Sequence, residues 1–501
     1  MNQKRVGIII SYLNLILGMV VNVFLTPMLI SALGDTDYSL YKVVQSFSGP
    51  LSIFNLGIST IVTRSIVQCS DESRKKEKQN TMALALLASG AMALLVTAIG
   101  IGMYIMFPQI YGGNYTAEEV AVGQWIFIAF MCSSILHIMT DVFTGTIIGH
   151  EKFAVSSAIQ FGKTALKIVL WLALLIMKGG ALQFACIDAI ISLSTFVISL
   201  WYASFRLGEK PKLTYFDKRK LADIFLFGIA ILLQAVVNQV NNNVDTMILG
   251  AVIVEKSIIT MYSSALAIYS IYNSLIAVIA GFFLPKATKL FDQNASGTEI
   301  TDFVIGPGRF QAMIAIGSIA GFALFGRNFI TIWIGEKYID AYWVTLMLMI
   351  PVTIPLVENT MISVLDASLK RIYRSVTLVV ISVINIAVSL VLVQYLSFWG
   401  AAIGTVVSLL IGHGVLMNIY YAKTFKLQVF RMFRSIFKGI LPAGIAASAV
   451  CIPIAVFVPD TILLFIVKCA VFIALYGAFL MLFGINEREK GIILKTLRLR
   501  K

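Results

Sequence analysis

This 501-residue chain is poor in charge: Asp, Glu, Lys and Arg make up 13%, against 59% hydrophobic residues and a mean hydropathy of +0.90. So few polar side chains cannot coat a soluble globule of this length, which excludes a soluble class. Cysteine is scarce and odd in number. Cys69, Cys132, Cys186, Cys451 and Cys469 lie in or beside apolar runs without CxxC spacing, so they read as small inert hydrophobes, not a disulfide framework or a metal site. The three histidines, His137, His150 and His413, are far apart, and no pair has the i, i+4 spacing of a helix-borne metal site. No Walker A motif occurs, which argues against ATP-driven transport by this chain alone. Ten-residue alternations of polar and apolar residues are missing too, which excludes a membrane β-barrel.

What the chain does have is long apolar runs. Spans are expected at about 6–31, 40–68, 81–107, 120–148, 153–177 and 181–205 in a first half. In a second half they fall at 222–250, 257–284, 308–333, 340–366, 372–396 and 399–422, with a further pair at 435–458 and 461–484. Each is near the ~20 residues that cross hydrocarbon, and backbone in lipid must satisfy itself inside helices. The N-terminal MNQKRVGIII has the basic start of a signal peptide, but the apolar stretch runs on to Ile30 without a small-residue cleavage site, so it reads as the first span.

The net charge of +14 would suggest a nucleic-acid partner in a soluble protein. Here the basic residues are sorted by loop. Assigning those within six positions of a span end to that end's side puts 31 of the 39 on the side of the termini, 5 on the other and 3 deeper in spans. This is the excess of cytoplasmic loops facing an anionic leaflet, so both termini are expected inside and nucleic acid is not expected as a partner. The fold class expected is an all-α integral membrane protein of 14 helices: an N-terminal six-helix bundle (1–207), a polar linker (208–221), a second six-helix bundle (222–424), then helices 13 and 14 with a basic tail (425–501). Two halves of six spans would share one orientation, as parallel repeats do in some transporters. At an offset of 221, Asn22 aligns with Asn243 and Tyr41 with Tyr262.

Polar residues inside spans are costly, about 2.5–3.5 kcal/mol for a central charge on insertion scales, and are kept for a pathway or a partner. Lys163 and Lys167 are four apart, hence on one face of span five, roughly 15 and 21 Å from its end at residue 153 at about 1.5 Å per residue. They are too deep for anchoring; the alternative to a functional role is an ion pair between Lys163 and Asp141 of span four. Span seven carries Asn238, Asn242 and Asp245 on one face with Gln234 a turn away; Asn14 and Asn22 are a weaker counterpart on span one. Such amides either line a cavity or act as interhelical glue. Asp141, Asp245 and Glu358 are candidates to bind a driving H⁺ or Na⁺, whereas Asp366, followed by Lys370 and Arg371, reads as an interfacial cluster. Pro351 and Pro355, one turn apart, kink span ten and form either a hinge or a static bend. Arg64 and Lys286 end spans two and eight on the inner side, where anchoring alone explains them. The run Arg74, Lys75, Lys76, Lys78 reads as a solvated loop, and Lys468, seven residues into span fourteen, as a snorkelling side chain.

Residues 33–64, LGDTDYSLYKVVQSFSGPLSIFNLGISTIVTR, carry a Gly-Asp-x-x-Tyr turn, an aromatic-containing second span, a Leu-Gly pair and a terminal Arg. This stretch resembles the opening signature of bacterial polysaccharide exporters, the Wzx-type oligosaccharide flippases of the multidrug/oligosaccharidyl-lipid/polysaccharide (MOP) exporter superfamily. Residues 238–253, NQVNNNVDTMILGAVI, are similar to that family's seventh span. Lipid II flippases and multidrug antiporters share these motifs, and Tyr38 is followed by Ser39 where the family usually has Gly.

The resemblance implies a transporter, not an enzyme, working without a cofactor on an H⁺ or Na⁺ gradient in the bacterial plasma membrane. The implied substrate is a lipid-linked oligosaccharide (O-antigen, capsule or exopolysaccharide repeat unit), with membrane lipids and a polysaccharide polymerase and chain-length proteins as further partners. Lys163 and Lys167 would then meet pyrophosphate or acidic sugars, Arg64 and Lys286 would capture the lipid diphosphate at the inner mouth, and spans 13 and 14 would shelter the lipid tail. Two readings compete: a cation-coupled small-molecule or drug exporter, which predicts twelve spans and an acidic cavity, and a membrane glycan polymerase, which needs a large outer loop that the sequence lacks.

Overall fold

The computed structural model describes residues 3–51, 58–68, 75–215, 243–277, 290, 295–368, 371–459, 461–486 and 489–490. Among them all regular structure is helical, and eleven helices are long and apolar enough to cross a membrane. The protein is a multi-pass membrane protein. Contacts divide the chain into two units, Met1–Thr260 and Met261–Lys501.

The first unit contains α1 (Gln3–Ser48), α2 (Ile58–Gln68), α3 (Lys75–Tyr111), α4 (Ala117–Gly149), α5 (Phe153–Ile176), α6 (Ala181–Trp201) and a short α7 (Asn243–Val252). The sequence suggests a loop between spans one and two, yet the helix is broken only at Gly34. Its φ of 69° is one that a residue without Cβ adopts freely, so a single glycine makes the turn and the next helix restarts at once. α5 packs on α1 and α6, and α4 on α2, α3 and α6. Close approach depends on small residues: a Cβ on Gly145 of α4 would lie 2.5 Å from the Ser59 carbonyl oxygen of α2, and Thr63 Oγ1 donates to the Gly145 carbonyl at 3.0 Å. In the core Phe47 meets Phe107 and Tyr111 edge to face, while the Phe47–Phe127 and Phe107–Tyr111 pairs are tilted.

The residues after α6 are described to 215, and they are tied to the start of α3. Asn80 Oδ1 accepts from the Thr214 and Tyr215 amides at 2.9 and 3.1 Å, and the Lys212 amide donates to the Gln79 carbonyl at 3.2 Å. Glu209, buried, bonds Lys78 and lies 3.0 Å from His150 at the end of α4. Lys78 is therefore not the solvated loop residue that its basic run suggested; the helix starts at Lys75 and places it against the linker.

The second unit holds α8 (Lys256–Ala277, which begins in the first), α9 (Gly297–Trp333), α10 (Ala341–Val357), α11 (Thr360–Ala367), α12 (Arg371–Leu396) and α13 (Phe398–Leu409). A π-helical stretch at Leu410–Met417 leads into α14 (Asn418–Phe425), followed by α15 (Val429–Phe437), α16 (Ile440–Phe457) and α17 (Ile462–Phe479). Two spans begin elsewhere than hydropathy suggests. α9 starts eleven residues before the expected 308, because Ser296 and Glu299 form a capping box that satisfies the first amides reciprocally. Expected span thirteen is two helices: the amphipathic α15 stops at Gly439, whose φ is 78°, and the apolar α16 starts beyond it.

Arg309 of α9 ties this corner together. Its guanidinium pairs with Glu489 (Nε to Oε1 2.6 Å) and donates to the carbonyls of Ser435 at 2.7 Å, Lys438 at 3.0 Å and Gly484. These carbonyls lie at the ends of α15 and of the π-helical extension of α17, where the helix leaves acceptors unmet. Loop sorting placed Arg309 among the inner positive residues; the structure buries it as a clamp.

Candidate functional site

The charged residues that hydropathy left inside spans converge in the first unit. Lys167 of α5 binds Asp188 of α6 with both carboxylate oxygens, at 2.9 and 3.1 Å. The Tyr41 hydroxyl of α1 donates to the same carboxylate at 3.2 Å. The Lys167 ammonium lies 4.1 Å from the centre of the Trp171 ring, one turn on along α5, and Trp171 packs edge to face on Tyr41 and Phe184. Lys42, next to Tyr41 and hydrogen-bonded to Gln45 at 3.3 Å, feels both Lys167 and Asp188 electrostatically. With the Lys167 side chain one-third exposed and Asp188 15% exposed, the pair is partly desolvated and not sealed off.

Lys163 makes a different bond from the one expected. Its ammonium donates to His137 Nε2 of α4 at 3.1 Å, and no ion pair joins it to Asp141. His137 lies one turn before Asp141 on the same face of α4, so its ring meets the lysine first, while Asp141 acts on Lys163 through space. A lysine donating to Nε2 requires the imidazole to carry its proton on Nδ1. Ser192 of α6 donates to the Asp188 carbonyl at 2.8 Å, and its oxygen lies 3.3 Å from the same Nε2, which brings a third helix against the ring. The result is three lysines against two carboxylates on four helices, with hydrogen-bonding side chains between them. In a low-dielectric setting a constellation with more ammonium than carboxylate groups attracts an anion, and an incoming phosphate offers Lys163 and Lys42 a stronger acceptor than the imidazole and the amide they now meet.

Sequence reasoning singled out Lys163, Lys167 and Asp141 but passed over Asp188, Tyr41, Lys42, His137 and Trp171. Asp188 carried the same signal as the lysines, a charge seven residues into span six. Lys42 was assigned to the outer loop because span two was started at residue 40; the helix already runs from the Gly34 break.

Asn14 sits on α1 beside a small cavity with α4 and α5. Asp245 is buried on α7. Gln234, Asn238, Asn242 and Lys286 lie outside the described residues, and of Arg64, Asn22 and Asp366 the described structure gives the helix backbone alone. Pro351 and Pro355 both lie inside α10; the helix ends one turn after Pro355, at Glu358, which caps it before α11 begins. Glu358 is buried near Asn418 of α14, and its Oε1 has no hydrogen-bond partner among the described residues. Lys468 does not snorkel: it is buried and donates to the Val458 carbonyl at the end of α16 at 2.7 Å. Among the described residues no group of three His, Cys, Asp or Glu side chains could hold a metal ion.

Comparison with known proteins places this geometry. A family described as "Polysaccharide biosynthesis protein" matches residues 6–291. A search of curated proteins finds no matching relative. Among solved structures the fold is similar to the lipid II flippase MurJ in an inward closed conformation, with a TM-score of 0.74, 13% identity, and coverage of 94% of this chain and 98% of that one. It is also similar to a multidrug resistance MATE family transporter of the MOP superfamily. The inward-facing form gives a TM-score of 0.64 at 13% identity, covering 84% of this chain and 99% of that one. The outward-facing form gives 0.57 at 15% identity, covering 85% and 98%. These likenesses assign the fold: the helical architecture of MOP-superfamily transporters.

Proposed function

The chain belongs to the polysaccharide biosynthesis protein family, and from that premise we propose that it moves an undecaprenyl-diphosphate-linked oligosaccharide from the inner to the outer leaflet of the bacterial plasma membrane. The observation that carries this reading is the partly desolvated cluster of Lys42, Lys163 and Lys167 around Asp188 and His137. A diphosphate is the part of such a substrate that hydrocarbon excludes most strongly, and Lys167 can exchange Asp188 for it while Trp171 and Tyr41 keep the site in shape. The bland alternative, a purely structural ion pair, does not need three lysines.

In this reading both termini face the cytoplasm, the headgroup enters from inside, the two halves rock, and the headgroup leaves outside with its tail still in lipid. No bond of the substrate changes; the work is sidedness. A driving ion would act through a carboxylate that exchanges partners, and Glu358, buried with one oxygen lacking a hydrogen-bond partner among the described residues, is the candidate for that role beside Asp141 and Asp245. The polymerase and chain-length proteins that act on the glycan would meet the protein at the outer face. An acidic cavity suited to cationic drugs is the opposite of what the cluster offers, which favours the flippase over the exporter.

The test is to delete the gene and label the lipid-linked intermediates from outside. Their accumulation in the inner leaflet is the expected result. Normal appearance of every such intermediate in the outer leaflet would end this reading.

A further inference from the structure

A second site lies on the same helix as the lysines. The N-terminal parts of α1 and α5 and the C-terminal end of α4 border a half-open cavity of about 300 Å³. Its polar lining comes from Ser11 and Asn14 of α1 and from Ser156, Ser157 and Gln160 of α5, and Phe153 closes one side. Among the described residues that line it, none is charged. Ser11 and Ser157 bond each other across it at 2.9 Å, and Asn14 Oδ1 is buried without a hydrogen-bond partner among the described residues.

We propose that this cavity is a subsite for one uncharged sugar ring of the transported glycan. The inference rests on the flippase reading and adds to it the chemistry of the residue recognised. Amides and hydroxyls both donate and accept, as sugar hydroxyls do, and a ring hydroxyl supplies the donor that Asn14 Oδ1 lacks. The volume is at the small end of ligand pockets, about 300–1,000 Å³, and fits one ring, not a chain. A uronic acid would lose its hydration there without gaining a cation, so the subsite selects against charge. Lys42, Lys163 and Lys167 hold the charge elsewhere.

The spacing links the two sites. Ser157, Gln160, Lys167 and Trp171 lie on one face of α5, and Ser157 and Lys167 are ten residues apart, about 15 Å at 1.5 Å per residue. One elongated substrate can therefore set its diphosphate at Lys167 and a neutral ring at Asn14, along a single stripe. The stripe measures the glycan: the ring that reaches the cavity is a fixed distance from the phosphate.

Saturation-transfer NMR on the purified full-length protein in nanodiscs tests this, with the methyl glycosides of glucose, galactose, mannose and N-acetylglucosamine as neutral probes and methyl glucuronide as the charged one. At least one neutral glycoside gives transfer in the wild type, and the charged probe gives about tenfold less, the equivalent of one or two lost hydrogen bonds. Asn14→Leu and Gln160→Leu, on different helices so that misfolding of one leaves the other informative, each reduce the neutral signal by a similar factor. Val169→Ala, at an exposed position of α5 outside the cavity lining, leaves it unchanged. No transfer from any neutral probe, or equal transfer in both leucine variants and the wild type, overturns the subsite. Leaflet labelling of the gene deletion reads the flippase proposal separately, so export without pocket-dependent transfer removes this subsite and keeps that function.

Discussion

Replacing Asp188 by Asn separates a structural ion pair from a placeholder for substrate phosphate. The carboxylate is held by Lys167 at 2.9 and 3.1 Å and by the Tyr41 hydroxyl at 3.2 Å. Breaking a fully buried pair costs about 3–5 kcal/mol, and an exposed pair is worth about 0–1 kcal/mol. With Lys167 one-third exposed and Asp188 15% exposed, solvent screening brings the loss to about 2 kcal/mol. For a unit of about this size that lowers the unfolding midpoint by roughly 4–8 °C. Affinity for a diphosphate moves the other way, because the anion no longer displaces an internal competitor; a gain of about 1.4 kcal/mol is tenfold in Kd. Lys167→Ala loses affinity by about tenfold or more, since a charge-assisted bond is removed. The assays are thermal unfolding by intrinsic fluorescence and titration calorimetry with farnesyl diphosphate in nanodiscs. Loss of stability together with weaker diphosphate binding in Asp188→Asn, or no change in either, would refute the reasoning.

Three further predictions concern the scaffold. Burial alone would raise the Glu209 carboxyl, but hydrogen bonds from His150 and Lys78 outweigh it and hold it below the usual 4.5. Its contribution is then present above that value and lost as pH falls through the lowered one; Glu209→Gln should remove this acid limb from the profile of unfolding midpoint against pH, and an unchanged limb would contradict the assignment. Gly145→Ala should destabilise by about 1–3 kcal/mol through overpacking, because the new Cβ meets Ser59 backbone, not a side chain that can move; thermal unfolding measures it, and an unchanged midpoint would count against the close α2 and α4 contact. Arg309→Met leaves Glu489 and the helix-end carbonyls unmatched in a buried site, at about 3–5 kcal/mol, and limited proteolysis should cut first near residues 435–440; a wild-type cleavage pattern would refute the clamp.

Much of this was legible in the chain. Apolar runs located nearly every described helix, since hydrocarbon leaves the backbone no alternative, and the resemblance in residues 33–64 agrees with the family match. What hydropathy could not see were helix ends set by local chemistry: the capping box at Ser296, the single-glycine break at Gly34 and the amphipathic α15 ahead of Gly439. Partners were less legible than positions. Depth picked out Lys163 and Lys167, but the sequence distance from Lys163 to His137, or from Lys167 to Asp188 and Tyr41, says nothing about which helix faces lie together. Lys163 and Asp141 seemed matched by depth alone; the imidazole one turn away intervenes. Arg309 and Lys78, counted as surface positives, pair with the buried Glu489 and Glu209 for the same reason.

The most direct test is transport itself. Protein reconstituted into vesicles with lipid-linked glycan extracted from the deletion strain should bring that glycan within reach of a membrane-impermeant lectin on the far side. Lys163→Ala with Lys167→Ala, correctly folded by thermal unfolding, should slow this by about tenfold or more. Wild-type protein that leaves the sidedness of the glycan as it is in protein-free vesicles, or a double variant as fast as the wild type, would contradict the account.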